Sequence, residues 1–236
     1  LPAVEDTGQF PEETLGKLPL ASRNHRLIGG SDSGNSHFEK QLRAQGWNCI
    51  AGTDEAGRGP LAGPVVASCV SFPEDADLSA FQDSKKLSEA RRRHLASILR
   101  QGNAGIGIGV VSHKRIDAIN ILQASLLAMK LSVFHHGVVA SPPDYLLVDG
   151  NFTIALAIDQ LALKKGESKS GSIAAASIIA KVYRDQIMAI LDKKHPRYGF
   201  GRNKGYPTKA HRQAIASFGP CPCHRLTFKG VREFVA

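Results

Sequence analysis

The chain has 236 residues, with 30 Lys and Arg against 21 Asp and Glu, a formal net charge of +9, 42% apolar residues and 6% aromatics. That length builds one core-bearing domain with an appendage, and the absence of any long apolar run excludes a membrane-spanning helix. Cys49, Cys69, Cys221 and Cys223 are too sparse for a disulfide scaffold, which points to a reducing, cytoplasmic setting, and the first residues lack the basic start and apolar core of a secretory signal.

Residues 1–45 are rich in Gly, Pro, Ser, Glu and Asn without a sustained period. They are expected to form a flexible extension with one short helix near Phe38–Arg43, ahead of a folded domain over residues 46–236. Asn48–Thr53 and the β-branched run Gly63–Phe72 read as a hairpin around a Gly/Pro-rich connection. Ser88 caps a helix that runs to about Gln101 and closes at Gly102. Gly105–Val111 alternates small and β-branched residues and reads as a third strand. Ile116–His136 carries Ile119, Leu122, Leu126, Met129 and Val133 at helical spacing, which predicts one helix. After Pro142-Pro143, Tyr145–Val148 and Leu161–Lys165 read as a fourth and fifth strand. Ser172–Lys193 is a long helix, apolar almost all round in its first half and therefore central. Thr208–Phe218 is a further helix stopped by Gly219-Pro220. These elements describe an α/β fold, a mixed central sheet flanked by helices.

The charge is unevenly placed. Residues 1–48 and 49–160 each carry a net charge of −1, whereas residues 161–236 carry +11. A basic segment after a nearly neutral one suits a surface that binds a polyanion such as nucleic acid; the alternative is a solvated basic face.

Asp54 and Asp149 each follow an apolar strand and lie just ahead of a glycine, at Asp54-Glu55-Ala56-Gly57 and Val148-Asp149-Gly150. Strand ends in an α/β sheet are where ligands and catalytic groups collect. Asp185 lies inside the long helix, where a carboxylate is costly unless it is paired or binds a metal. Lys181 and Arg184 offer it an ordinary salt bridge, and the helix pattern leaves the two readings open. Together, Asp54, Glu55, Asp149 and Asp185 could form a self-repelling cluster that divalent cations would neutralise. Hard oxygen ligands favour Mg²⁺ or Mn²⁺ over zinc, and two such ions about 4 Å apart suit in-line phosphoryl transfer. Spacing alone does not show that the four acids converge.

The words Thr53-Asp54-Glu55-Ala56-Gly57-Arg58-Gly59-Pro60 with Leu61–Ala67, Asp83-Ser84-Lys85-Lys86-Leu87-Ser88, Leu147–Gly150, Ser172–Val182 with Arg184-Asp185, and Lys204-Gly205-Tyr206-Pro207-Thr208 closely resemble the ribonuclease HII family, in the family's order and over roughly residues 48–228. The resemblance implies an RNase H-like fold with a small C-terminal helical portion. The implied activity is endonucleolytic cleavage at ribonucleotides in RNA–DNA hybrids and in duplex DNA, giving 5′-phosphate and 3′-hydroxyl ends. Asp54, Glu55, Asp149 and Asp185 match the family's catalytic acids, which hold two Mg²⁺ or Mn²⁺ ions during catalysis. Gly57-Arg58-Gly59 matches its ribose-sensing loop, where glycine lets the backbone approach a 2′-hydroxyl. Tyr206 matches the tyrosine that packs on the sugar at an RNA-to-DNA junction. Lys85 and Lys86, followed by Lys181, Arg184, Lys204 and Thr208, are candidates for the phosphate track. Glu167 stands where the family usually has Asp, and Tyr183 where it usually has Thr. Neither is expected to touch the four acids.

Other signals are discounted. Cys221-Pro222-Cys223-His224 lacks the spacing of a zinc knuckle and reads as a packed segment. Gly105-Ile106-Gly107-Ile108-Gly109 is not a dinucleotide fingerprint. Arg91-Arg92-Arg93 reads as the solvated face of a helix. The expected protein is therefore a monomeric, metal-dependent endoribonuclease; a sliding-clamp partner is left open. Its rivals are a catalytically silent nucleic-acid-binding module and another RNase H-like nuclease. All four acids are present, which argues against the silent module.

Overall fold

In a computed structural model of the chain, residues 36–81 and 87–235 are described. Most of the expected N-terminal extension, and Lys85 and Lys86, lie outside them. Five strands form one sheet: β1 (Ile50–Ala56), β2 (Val65–Ser71), β3 (Gly105–Val111), β4 (Tyr145–Asp149) and β5 (Asp159–Leu163), in the order β3-β2-β1-β4-β5. β1–β2 and β2–β3 are antiparallel, whereas β4 runs parallel to both β1 and β5. The sheet is mixed, as the pattern of elements implied.

Every residue of β2 is buried, because both faces of the sheet are covered. Val65, Ala67 and Cys69 point to one side, against Ala124, Ala128, Met129 and Val133. Val70 points to the other, against Leu95, Leu99, Ala174 and Ile178. The first layer is α4 (Ile121–Val139); the second is α2 (Glu89–Gln101) and the long α5 (Gly171–Lys194). The glycines of β3 have a packing reason. A Cβ on Gly107 or Gly109 would collide with the α4 backbone at Ser132 and Ala128 respectively, so α4 lies directly on the strand.

The single helix expected over Ile116–His136 is two helices, α3 (His113–Ile119) and α4. Asn120 separates them at φ 66°, and its side-chain oxygen accepts from the backbone N–H groups of Leu122 and Gln123. Asn120 takes a positive φ with an extended ψ and its side chain caps the second helix at once, so the apolar stripe continues through a real break.

α1 (His37–Ala44) falls where the short helix was expected, and it is packed. Leu42 joins Ile50, Tyr145, Leu147 and Ile173 in a small core, flanked by Phe38 and Trp47. Its buried Glu39 accepts from the Ser170 and Ser172 hydroxyls, each at 2.6 Å, and from Ser172 N at 3.0 Å. A carboxylate at the N-terminus of α5 satisfies free N–H donors and faces the positive end of the helix dipole. Beyond α5, α6 (Phe200–Asn203) and α7 (Lys209–Phe218) share a separate core with Leu61, Met188 and Val231. This is the small C-terminal helical portion.

Candidate active site

The strand register sets the site. Thr53 of β1 pairs with Val148 of β4, so the next residues, Asp54 within β1 and Asp149 at the end of β4, lie side by side where the parallel pairing stops. Asp54 is 4% exposed, and its Oδ1 accepts from Glu55 N at 2.6 Å. Asp149 Oδ1 accepts from Gly166 N at 2.7 Å, which ties β4 to the turn after β5. On α5, Ser177, Lys181 and Asp185 fall four residues apart and share one helix face. Ser177 Oγ donates to Glu167 Oε2 at 2.9 Å.

The electrostatics record how close these acids are. Burial pushes the Asp54 carboxyl well above its ordinary range, and the negative charges of Glu55, Asp149 and Glu167 push it further. Burial also raises Glu55, against the opposing pull of Arg58, which pairs with it at 3.3 Å. Asp54, Glu55 and Asp149 are thus brought together, and Glu167 joins them. Glu167, buried in the turn after β5, adds its negative charge to the field at Asp54. Asp185 is 8% exposed and takes the salt-bridge option with Lys181, whose Nζ meets both carboxylate oxygens.

The loop after β1 is shaped by glycine and held by two buried arginines. Gly57 has φ +104°, and a Cβ there would strike the Arg184 side chain. Arg58 and Gly59 are exposed. A Cβ on Gly59 would lie 3.7 Å from the Tyr206 ring, so these two positions face each other. Tyr206 is itself 41% exposed.

Arg184 differs from its expected place on the phosphate track. It is 1% exposed and donates to the carbonyls of Pro64 (3.0 Å), Lys204 (3.0 Å) and Ala62 (3.2 Å), so its guanidinium fastens the loop to the Tyr206 segment. Thr208 caps α7, accepting from His211 N at 3.2 Å. Lys204, half-buried at φ 51°, sits two residues before Tyr206.

A ribonuclease HII family model matches residues 51–231, which spans both strand-end aspartates, the glycine loop, α5 and the Tyr206 segment. The chain belongs to the ribonuclease HII family. Ribonuclease HII enzymes are divalent-metal-dependent endoribonucleases that act on RNA–DNA hybrids and on ribonucleotides within DNA. The chain is 56% identical over 209 residues to the ribonuclease HII of Desulfotalea psychrophila, covering 89% of this chain and 93% of that one. It is 52% identical over 199 residues to that of Geobacter metallireducens, covering 84% and 92%. Among solved structures, the ribonuclease HII in the PCNA:RNase HII complex from Archaeoglobus fulgidus is similar at TM-score 0.64 and 29% identity, covering 77% of this chain and 95% of that one. The ribonuclease H2 of Pyrococcus horikoshii is similar at TM-score 0.63 and 27% identity, covering 79% and 96%.

Two contributors to this ribonuclease HII site escaped the sequence reading. Arg225 is fully buried and donates to the carbonyls of Gly57 (2.6 Å), Arg58 (2.9 Å), Gly63 (3.0 Å) and Pro64 (3.3 Å). It grips the glycine loop from a segment more than 160 residues away, and no local pattern marks such a contact. Ser177 sits among alanines and isoleucines in the first half of α5, where the helical pattern gives its hydroxyl no distinguishing mark.

Proposed function

We propose that Asp54, Glu55, Asp149 and Asp185 form the metal-dependent cleavage centre, and that Gly57-Arg58-Gly59 and Tyr206 select the ribonucleotide. The observation that carries this reading is the buried Asp54 beside Asp149, with two further carboxylates bearing on it. Folding together negative charges of this kind is unfavourable unless a cation compensates them. The donor set is oxygen only, which fits hard ions, Mg²⁺ or Mn²⁺, better than zinc. Bound there, such ions supply Lewis acidity toward a phosphate oxygen and lower the pKa of a water, and a pair serves in-line displacement.

The chain's own residues do the rest. Asp54 and Asp149 are held by backbone N–H donors and by strand geometry, so their oxygens are fixed before substrate arrives. Lys181 balances Asp185 and can turn to a phosphate oxygen when a cation takes its place at the carboxylate. The glycine loop, locked by Arg184 and Arg225, presents backbone groups where a side chain would hold off a sugar. Tyr206 opposite it offers an exposed ring to the neighbouring ribose. Phosphate contacts from Lys204, Lys181 and the basic C-terminal third give register, and the 2′-hydroxyl gives the choice of bond. The substrates are RNA–DNA hybrid and duplex DNA with embedded ribonucleotides. A clamp complex is a property of the Archaeoglobus fulgidus relative.

A duplex with one ribonucleotide, an all-DNA duplex and a long hybrid, each with Mg²⁺ or Mn²⁺, test the reading. Cutting on the 5′ side of the single ribonucleotide, with 5′-phosphate and 3′-hydroxyl ends, is expected, and Tyr206→Ala should slow it about tenfold more than it slows hybrid cleavage. Equal loss on both substrates contradicts the junction role, and cutting of the all-DNA duplex contradicts ribose selection.

A further inference from the structure

Outside the acidic site, the described residues contain one cluster of soft metal-ligating side chains: His195, Cys221 and Cys223, whose donor atoms all lie within 4.8 Å of one another. The Cys-Pro-Cys step by itself lacks zinc-knuckle spacing. The fold supplies what the sequence spacing does not. His195 is the C-cap of α5, and Pro196 turns the chain there into a short 3₁₀ helix, Pro196–Tyr198. Tyr198 Oη then donates to Gly219 O at 2.7 Å, which docks the Gly219–Cys223 segment against the end of α5. His195 and the two cysteines meet because of that docking.

We propose that His195, Cys221 and Cys223 form a second metal site, for a thiophilic divalent cation of the zinc class, separate from the carboxylate centre. Thiolate and imidazole are the donors that such ions prefer, and magnesium does not compete for them. Sulfurs sharing a tetrahedral zinc at about 2.3 Å lie roughly 3.8 Å apart. Cys221 and Cys223 Sγ stand at 3.1 Å, and a disulfide requires about 2 Å. Opening the pair by a fraction of an ångström seats an ion, with the third donor already in place. Binding the ion as thiolates releases the thiol protons to solvent.

His224 is not the fourth ligand. Its Nδ1 accepts from Cys221 N at 2.9 Å, and its Nε2 meets His211 Nε2 at 3.0 Å. His211 Nδ1 in turn donates to the Tyr206 carbonyl at 2.9 Å. The site ties the end of α5 to the segment that carries Arg225 and, through the two histidines, to Tyr206. A metal there is a structural tie on the ribose-selecting side of the site.

Cobalt(II) added to the reduced, full-length protein in excess Mg²⁺ tests the proposal, because a thiolate-to-cobalt charge-transfer band reports only the sulfur site. One cobalt per chain with that band is expected, displaced by Zn²⁺ and absent in Cys223→Ser. His195→Gln, which spares both thiols, should weaken uptake at least tenfold. In the unmodified protein, Zn²⁺ should slow alkylation of Cys221 and Cys223 while Cys49 reacts as before. No thiolate band, a band whose affinity His195→Gln leaves unchanged, or no protection by Zn²⁺ overturns the site.

Discussion

Asp54 is the residue on which folding and the proposed function pull in opposite directions. Its carboxyl is buried against Glu55, Asp149 and Glu167, so folding raises its pKa above the ordinary carboxylate range. The folded chain therefore retains a proton that the unfolded chain has released. Stability from this group is fully present below the ordinary carboxylate range and is lost as pH climbs toward the raised folded value. In protein stripped of divalent ions, Asp54→Asn removes that repulsion and should stabilise the fold by about 1–2 kcal/mol, roughly 2–6 °C for a chain of this size, while cleavage is lost. Thermal melts with and without Mg²⁺ check this. A variant that melts lower than the parent in the absence of metal contradicts the charge-repulsion account. Asp54 and Asp149 were legible in the sequence because an acid at a strand end beside a glycine is a local pattern. Glu167 was visible only as a departure from the family's usual Asp, since its approach to Asp54 depends on where β5 turns.

At the scale of elements, the glycine loop after β1 is held from outside. Arg184 on α5 and Arg225 in the C-terminal segment direct all the donors described above to backbone carbonyls of residues 57–64 and 204. Burial holds the Arg225 guanidinium down at about 9, and the positive charge of Arg184 adds to the shift. Arg225→Met takes its donors from the Gly57, Arg58 and Gly63 carbonyls and should cost about 2–4 kcal/mol in chemical denaturation. The same variant should lose discrimination between a ribonucleotide and a deoxynucleotide more than it loses duplex affinity. A variant with parental discrimination removes the clamp role. Strands and long helices were readable from alternation, helical spacing and the Ser88 cap. The break at Asn120 was not, because the apolar stripe runs on across it. The docking of Glu39 on Ser170 and Ser172 joins positions more than 130 residues apart, beyond any window of sequence periodicity.

Over the whole molecule, the two covered faces of the sheet make His136 a reporter of global stability. It is fully buried on α4, and its Nε2 meets the Ser71 hydroxyl at 2.8 Å. Burial lowers its pKa to about 4. A histidine held neutral by folding contributes stability that is present above its ordinary value near 6.5 and is lost as pH falls from there toward 4. The denaturation midpoint should therefore drop across that interval, and His136→Gln should flatten the drop. An unchanged slope contradicts the assignment. The charge division, −1 over residues 49–160 and +11 over residues 161–236, also gains a spatial meaning. The sheet carries Asp54, Glu55 and Asp149; the later elements carry Asp185, Tyr206 and the surplus of cations. The central claim is that these acids cut while the basic elements and the glycine loop bind. Cleavage and binding of one single-ribonucleotide duplex should be measured side by side for the parent, Asp54→Asn and Asp149→Asn in Mg²⁺. The account predicts a loss of cleavage of about a hundredfold or more with duplex affinity kept within a few-fold. Near-parental cleavage in both variants would contradict it.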